Sequence, residues 1–75
     1  MPKLPILSGH DVIKALTKAG WAQKRICGSH SILIKFLGNQ KIAVVVPLHK
    51  EIDKGTLLEI IRQSRLKREE FLKLL

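Results

Sequence analysis

The sequence predicts an α+β domain with the element order α-β-β-β-α and a short C-terminal helix. Two segments with apolar residues at helical spacing flank three consecutive segments that are rich in β-branched or aromatic residues, at 21–26, 31–37 and 41–46. A chain of 75 residues can build one hydrophobic core but not two, so we expect a single domain over residues 1–75. The pattern therefore predicts a three-stranded antiparallel sheet with both main helices packed on one face.

The first helix is predicted over residues 8–19. Ser8 followed by Asp11 resembles a capping box, and Val12 and Leu16 repeat at helical spacing. Gly20 is placed to end the helix, because glycine readily adopts the left-handed conformation that follows a helix C-terminus. The helix thus has a signal at each end and an apolar side for the core.

The three strands are expected to form a meander, because residues 38–40 are short and turn-prone. Alternation along the strands predicts that two apolar sets face the helices: Ile32, Ile34 and Phe36 in the second strand, and Ile42, Val44 and Val46 in the third. Trp21 and Phe36 are accordingly predicted to be core residues.

The second helix is predicted to begin between Asp53 and Thr56 and to end near Arg65. Asp53 can cap it, whereas Thr56 opens a competing capping box, and the sequence leaves both starts open. Its apolar side, which includes Ile60, repeats at helical spacing. A short third helix is predicted over residues 67–75, where Phe71, Leu72 and Leu75 come together.

The charge of the chain is strongly positive. Fourteen Lys and Arg residues against six Asp and Glu give a formal net charge of +8. Such a charge attracts nucleic acids or acidic proteins, but it specifies neither a sequence preference nor a reaction. The single cysteine, Cys27, excludes an internal disulfide and fits a reducing compartment. Since no long apolar stretch predicts a signal peptide or a membrane span, we expect a cytoplasmic protein that does not enter a membrane.

The acidic residues are scattered along the chain and do not predict a metal site. No set of ligands occurs at zinc spacing, and nothing resembles the carboxylate cluster of a two-metal nuclease. The isolated glycines form no phosphate-binding P-loop. We therefore expect neither a metal nor another cofactor.

The tripeptide Gly28-Ser29-His30 places an imidazole where the second strand begins. An imidazole can exchange a proton near neutral pH, as a general base on a ribose 2′-OH or as a general acid on the leaving 5′-oxygen. Strand alternation also puts His30 in phase with Ile32, so the residues alone leave open a half-buried structural histidine at the edge of the core.

Cleavage of the RNA backbone by a histidine would also require positive side chains near the phosphate that reacts. The candidates for RNA or phosphate binding are Lys24, Arg25, Lys35, Lys50 and Lys54. For each of them, solvated surface charge is the alternative interpretation. Lys50 and Lys54 lead with His49 into the N-terminus of the second helix, where backbone N–H groups and the helix dipole favour anions. Ser29 and His49 are added as auxiliary candidates, with a structural or surface role as the alternative for His49.

The sequence resembles the HicA-type, or YcfA-like, mRNA interferase toxins over nearly its whole length. Matching motifs occur in the same order and spacing: Ser8-Gly9, Ala19-Gly20-Trp21, Gly28-Ser29-His30, Val46-Pro47-Leu48-His49 and Lys54-Gly55-Thr56-Leu57. The resemblance implies a double-stranded-RNA-binding-domain-like fold and a metal-independent endoribonuclease that cleaves mRNA, with His30 as the catalytic residue. It also implies a HicB-type antitoxin that covers the catalytic surface. We expect the toxin alone to be a monomer.

Two other classes of protein fit the same residues. One is a non-catalytic nucleic-acid-binding module that resembles a double-stranded-RNA-binding domain, and the other is an adaptor whose basic face recognises an acidic protein. Ser31 departs from the family pattern, in which an aromatic or larger residue is frequent after the histidine. The strand that follows His30 is therefore expected to offer RNA a less aromatic surface.

Overall fold

The computed structural model describes residues 4–75, which form three helices and three strands. The elements in chain order are α1 (Gly9–Lys18), β1 (Ala22–Cys27), β2 (His30–Leu37), β3 (Gln40–Pro47), α2 (Lys54–Gln63) and α3 (Arg68–Leu72). The strands form one antiparallel sheet in the order β1-β2-β3. The predicted α+β fold, with its three-stranded antiparallel sheet and short C-terminal helix, is confirmed.

The helix ends follow the capping signals in the sequence. The Ser8 hydroxyl accepts a hydrogen bond from the Asp11 N–H, and the Asp11 carboxylate accepts one from the Ser8 N–H, both at 3.1 Å. Gly20 follows α1 with a φ of +94°, in the left-handed region. At α2 the Asp53 carboxylate accepts from the Thr56 N–H at 3.0 Å, so Asp53 and not Thr56 caps this helix.

Both hairpins turn through two residues, of which the first is glycine. Gly28 and Gly38 each have a φ of +62°, the arrangement that type II′ hairpin turns use. The second turn consists of Gly38 and Asn39, because Leu37 already pairs with Gln40. This turn length sets the register of β2 against β3.

The register places one set of β2 residues beneath the helices. Ser31 lies opposite Val46 and Leu33 lies opposite Val44, and all four residues are fully buried. Residues opposite one another on paired strands share a face of the sheet. The predicted inward set of β3, which comprises Ile42, Val44 and Val46, is therefore confirmed. We call this side of the sheet the inner face.

The other side, which we call the open face, carries the β2 residues that were predicted to be in the core. Its residues are Ala22, Arg25 and Cys27 of β1, His30, Ile32, Ile34 and Phe36 of β2, and Lys41, Ala43, Val45 and Pro47 of β3. Phe36 is 63% exposed and Ile32 is only half-buried. The prediction that Ile32, Ile34 and Phe36 face the helices is wrong, because the two-residue turn puts the alternate residues of β2 on that side.

The hydrophobic core lies between the inner face and the helices. Its deeply buried members include Val12 and Leu16 of α1, Leu33, Val44 and Val46 of the sheet, Leu57 and Ile60 of α2, and Phe71 of α3. Full burial of a side chain of this size contributes about 1.5–3 kcal/mol. Trp21, which precedes β1, is also buried, so its prediction as a core residue is confirmed. The two main helices therefore pack on one face, as predicted.

Two polar side chains of the inner face are held by hydrogen bonds. Gln23 Nε2 donates to the hydroxyl of the fully buried Ser31 at 2.9 Å. Lys35 Nζ donates to the backbone carbonyl of Ala19 at 2.7 Å, at the C-terminal end of α1. A cation there suits the negative end of the helix dipole, so Lys35 joins the sheet to α1.

Candidate functional site

His30 is the first residue of β2 and lies at the end of the sheet where the first hairpin turns. It pairs with Cys27 of β1 on one side and with Pro47 of β3 on the other. Because the next residue, Ser31, points towards the helices, alternation directs the His30 side chain to the open face. His30 is exposed there. The alternative that the sequence left open, a half-buried histidine at the edge of the core, is therefore wrong.

The turn before His30 is supported by backbone hydrogen bonds from a distant loop. The Leu48 N–H donates to the Ser29 carbonyl at 2.7 Å, and the Gly9 N–H donates to the His49 carbonyl at 2.9 Å. A Cβ atom on Gly9 would collide with the carbonyl oxygen of Pro47, so only glycine fits at this crossing. The loop after β3 is thus fixed between the start of α1 and the turn that presents the imidazole.

Ser29 also approaches the imidazole with its side chain. Its hydroxyl oxygen lies 3.5 Å from Nδ1 of His30, at the outer limit for a hydrogen bond. A hydrogen bond between Ser29 and Nδ1 leaves Nε2 as the nitrogen available for proton exchange.

Arg25 is the predicted phosphate-binding residue that shares the open face with His30. It pairs with Ile32, the next outward residue along β2. Lys24 precedes it at a β-bulge, where the register shifts between Gln23 and Arg25. The bulge turns the edge strand locally, and both cations are exposed. Lys24 and Arg25 thus lie one strand away from the candidate histidine.

The second group of predicted residues lies beyond β3. His49 and Lys50 are exposed in the loop that follows Pro47, the partner of His30, and Lys54 is the first residue of α2. The carboxylate of Asp53 already accepts hydrogen bonds at this helix start. Bonds from the Thr56 hydroxyl, at 2.7 Å, and from its N–H hold the pKa of Asp53 below its usual value. The helix N-terminus is thus occupied in part by the chain's own anion.

Lys35 is not brought to His30. The two residues belong to opposite faces of β2, and the Lys35 ammonium group is bonded to the end of α1. The sequence grouped Lys35 with the other cations because spacing does not show which side of a strand faces the core. Its predicted role in phosphate binding is the one that the geometry supports least.

Lys41 and Phe36 are exposed residues of the open face that were not among the predicted site residues. Lys41 lies opposite Phe36 at the end of the sheet away from His30. The signal that could have found them is the two-residue glycine turn, since it fixes which residues of β2 and β3 share a face.

Several other features of residues 4–75 bear on the site. They contain no group of three His, Cys, Asp or Glu side chains arranged to hold a metal ion. No helix in this part of the chain is long and apolar enough to cross a membrane. A cavity of about 250 Å³ opens between α1 and the C-terminus, lined in part by Leu7, Lys14 and Leu74, and none of the predicted site residues lines it.

A small basic α+β domain that presents an exposed histidine on the open face of its sheet belongs to a class of domains suited to binding polyanions. The family model described as the HicA toxin of bacterial toxin-antitoxin systems matches residues 9–66. The chain belongs to this HicA toxin family, and membership implies an antitoxin as a partner. Comparison with curated proteins and with solved structures finds no significant match.

Proposed function

We propose that this HicA toxin is an endoribonuclease that cleaves mRNA in the cytoplasm with His30 as its catalytic residue and without a metal. The observation that carries the proposal is the position of His30. It is exposed on the open face, at the start of a strand, and the preceding turn is held by a backbone bond from Leu48 to Ser29. A group that exchanges a proton with a substrate needs both exposure and a fixed place.

The proposed reaction uses the nucleophile that RNA itself carries. The 2′-oxygen of a ribose attacks the adjacent phosphorus, the bond from phosphorus to the 5′-oxygen breaks, and the products are a 2′,3′-cyclic phosphate and a 5′-hydroxyl. His30 either takes the 2′-OH proton or gives a proton to the leaving 5′-oxygen, and solvent supplies the other transfer. We assign Nε2 to this exchange, since the hydrogen bond with Ser29 engages Nδ1.

Positive side chains on both sides of His30 are proposed to stabilise the charge that grows on the phosphate. Lys24 and Arg25 approach from β1, and Lys50 approaches from the loop after β3. Lys54, at the start of α2, adds positive charge farther along the same loop. His49 is an auxiliary candidate, because its carbonyl accepts the Gly9 N–H while its ring is exposed.

The antitoxin is proposed to be of the HicB type and to inhibit by covering the surface around His30. This surface combines exposed apolar side chains with positive charge. A partner that covers it would exclude RNA and add stability to a small domain. The resting form would then be the toxin-antitoxin complex.

His30→Ala is the decisive variant for this proposal. We expect cleavage of single-stranded RNA to fall by about 10²-fold or more, since positioned acid–base catalysis contributes about 10²–10⁴-fold. The circular dichroism spectrum and most of the RNA affinity should be retained, because the imidazole is exposed and contributes little to the core. Cleavage should be followed with chelator present and on a matched substrate carrying a single 2′-deoxyribose, which should resist cutting at that position.

His10→Ala is the matched control, since it removes another exposed imidazole, on α1. It should cut RNA at the wild-type rate. Undiminished cleavage by His30→Ala would exclude His30 as the catalytic residue. Intact RNA binding without cleavage by the wild type would point to a non-catalytic binding module instead.

A further inference from the structure

The aromatic residues of the chain are divided between the core and the open face. The sequence contains one Trp, two Phe and no Tyr. Trp21 is 2% exposed and Phe71 is fully buried, whereas Phe36 is 63% exposed. An aromatic ring of this size contributes most to stability when it is buried, so core packing does not explain why Phe36 is exposed.

Phe36 is the far end of an apolar row that begins next to His30. The row runs along β2 through Ile32 and Ile34, with Val45 opposite Ile32 on the neighbouring strand. At about 3.3 Å per residue, the distance from His30 to Phe36 along the strand is about 20 Å. Phe36 and Val45 are exposed and Ile32 and Ile34 are half-buried, and apolar surface that remains accessible in this way marks an interaction site. The candidate reactive group and the apolar row therefore form one continuous surface.

The charges around this surface have a single sign. Residues 22–47, which make up the whole sheet, contain no Asp and no Glu. Arg25 lies beside the row near His30, and Lys41 lies beside it opposite Phe36. An apolar strip with a cation at each end and no acid matches a ligand that has flat apolar faces joined by phosphates.

We propose that the open face is the RNA-binding platform of this toxin, and that it takes single-stranded RNA with a base stacked on Phe36. The proposal rests on the function proposed above and names its substrate class. A base can stack on a protein ring only when it has left its own stack, which a paired strand does not allow. RNA laid along β2 would place its backbone between Arg25 and Lys41 and bring a phosphodiester to His30.

A second copy of the chain fits the open face less well than RNA does. It would bring its own Arg25 and Lys41 against the same residues, in a chain of net charge +8. Like charges across an interface oppose association. The cations are therefore better matched by phosphates than by another copy.

The proposal is tested by RNA binding in a His30→Ala background, where no cutting complicates the measurement. The probes are a labelled 12-nucleotide single strand of mixed sequence and the same strand annealed to its complement. Phe36→Ser should weaken binding of the single strand about fivefold or more, the effect of losing one stacked base, and should leave duplex binding within twofold. Phe36→Trp should retain affinity. The single strand should quench the fluorescence of the added indole, whereas the fluorescence of buried Trp21 should change little.

Ile26→Ser is the matched control. Ile26 is 60% exposed, close to the value for Phe36, but it pairs with Ser31 and so belongs to the inner face. Its replacement should leave both affinities unchanged. Equal losses for Phe36→Ser and Ile26→Ser, or equal losses for single strand and duplex, would overturn the stacking proposal.

The remaining outcomes separate this proposal from the one on which it rests. Normal binding by Phe36→Ser together with a changed oligomeric state by light scattering would make the open face a protein interface and would overturn the platform. If His30→Ala abolishes cutting while Phe36→Ser binds and cuts normally, the nuclease stands and the platform fails. If His30→Ala still cuts, His30 is excluded as the catalytic residue, and binding of a single strand made uncleavable by 2′-deoxyribose decides the platform separately.

Discussion

The two faces of the sheet are built from similar apolar side chains, but one face is buried and the other is accessible to solvent. On the inner face Leu33 and Val44 are fully buried beneath the helices, and the hydroxyl of Ser31 is bonded by Gln23. On the open face Ile32 has a comparable size but lies only half-buried. Apolar character therefore does not by itself assign a residue to the core. The inner face supplies stability, and the open face keeps apolar surface available beside His30.

Neighbouring residues of β2 offer the sharpest test of this contrast. Leu33→Ala should destabilise the fold by about 2–5 kcal/mol, because it removes a fully buried side chain and leaves a cavity. Ile32→Ala removes the same number of carbon atoms on the open face and should cost at most about 1 kcal/mol. Urea unfolding at one temperature measures both. Equal losses would mean that the open face is covered in the folded protein.

The cations of the two faces should separate in the same way. Lys35→Ala removes the bond to the Ala19 carbonyl and should cost about 1 kcal/mol of stability, with little effect on RNA binding. Arg25→Ala should leave stability nearly unchanged and reduce the slope of log affinity against log salt by about 0.7–1. Urea unfolding and a salt titration of RNA binding measure the two effects. The reverse pattern would assign phosphate binding to the inner face.

The helix caps predict a smaller, pH-dependent effect on the helix side. Bonds from Ser8, of which that from its N–H is the largest cause, lower the pKa of Asp11, and bonds from Thr56 lower that of Asp53. The folded state therefore binds fewer protons than the unfolded state at these carboxylates. Their contribution is complete above the ordinary value of 3.8 and is lost as the pH falls through the lower folded-state values.

Stability measured from pH 6 down to pH 2 checks this expectation. A double variant with Asn at positions 11 and 53 keeps capping oxygens but no titrating groups, so its acid loss should be shallower than that of the wild type. Glu59, whose pKa is lowered chiefly by its side-chain hydrogen bond with Arg62, should retain part of the slope. An unchanged slope would show that these caps do not couple folding to protons.

Local signals in the sequence predicted the helices and strands. The main error, the face assigned to the β2 residues, came from expecting a three-residue turn where the structure has two residues. A three-residue connection at 38–40 would pair Leu37 with Lys41 and set Phe36 opposite Ile42, on the core side. The observed two-residue turn pairs Phe36 with Lys41, so every residue of β2 faces the opposite side of the sheet from the one predicted. β2 is apolar on both faces, so alternation could not correct the choice. The helix starts were predictable because capping depends on neighbours in sequence.

The sequence supplied candidate residues for the site but not their arrangement. His30 was predicted from a motif, and Lys24 and Arg25 were predicted on the strand that precedes it. The separation of Lys35 from them depends on strand register, and the partial occupation of the α2 start depends on which residue caps it. Both are set by pairing and packing, which residue spacing does not contain.

The loop after β3 has a consequence for how this toxin can diversify. Leu48 and His49 hold their neighbours through main-chain atoms, to Ser29 and Gly9, and Ile52 does the same with Leu7. Main-chain bonds form whatever side chain the residue carries, so the exposed positions of this loop are open to substitution without displacing the imidazole. Gly9 of α1, where this loop crosses the helix start, admits no side chain and is therefore not open to substitution. Substitutions at the exposed loop positions can thus change the surface beside His30 while the imidazole stays in place.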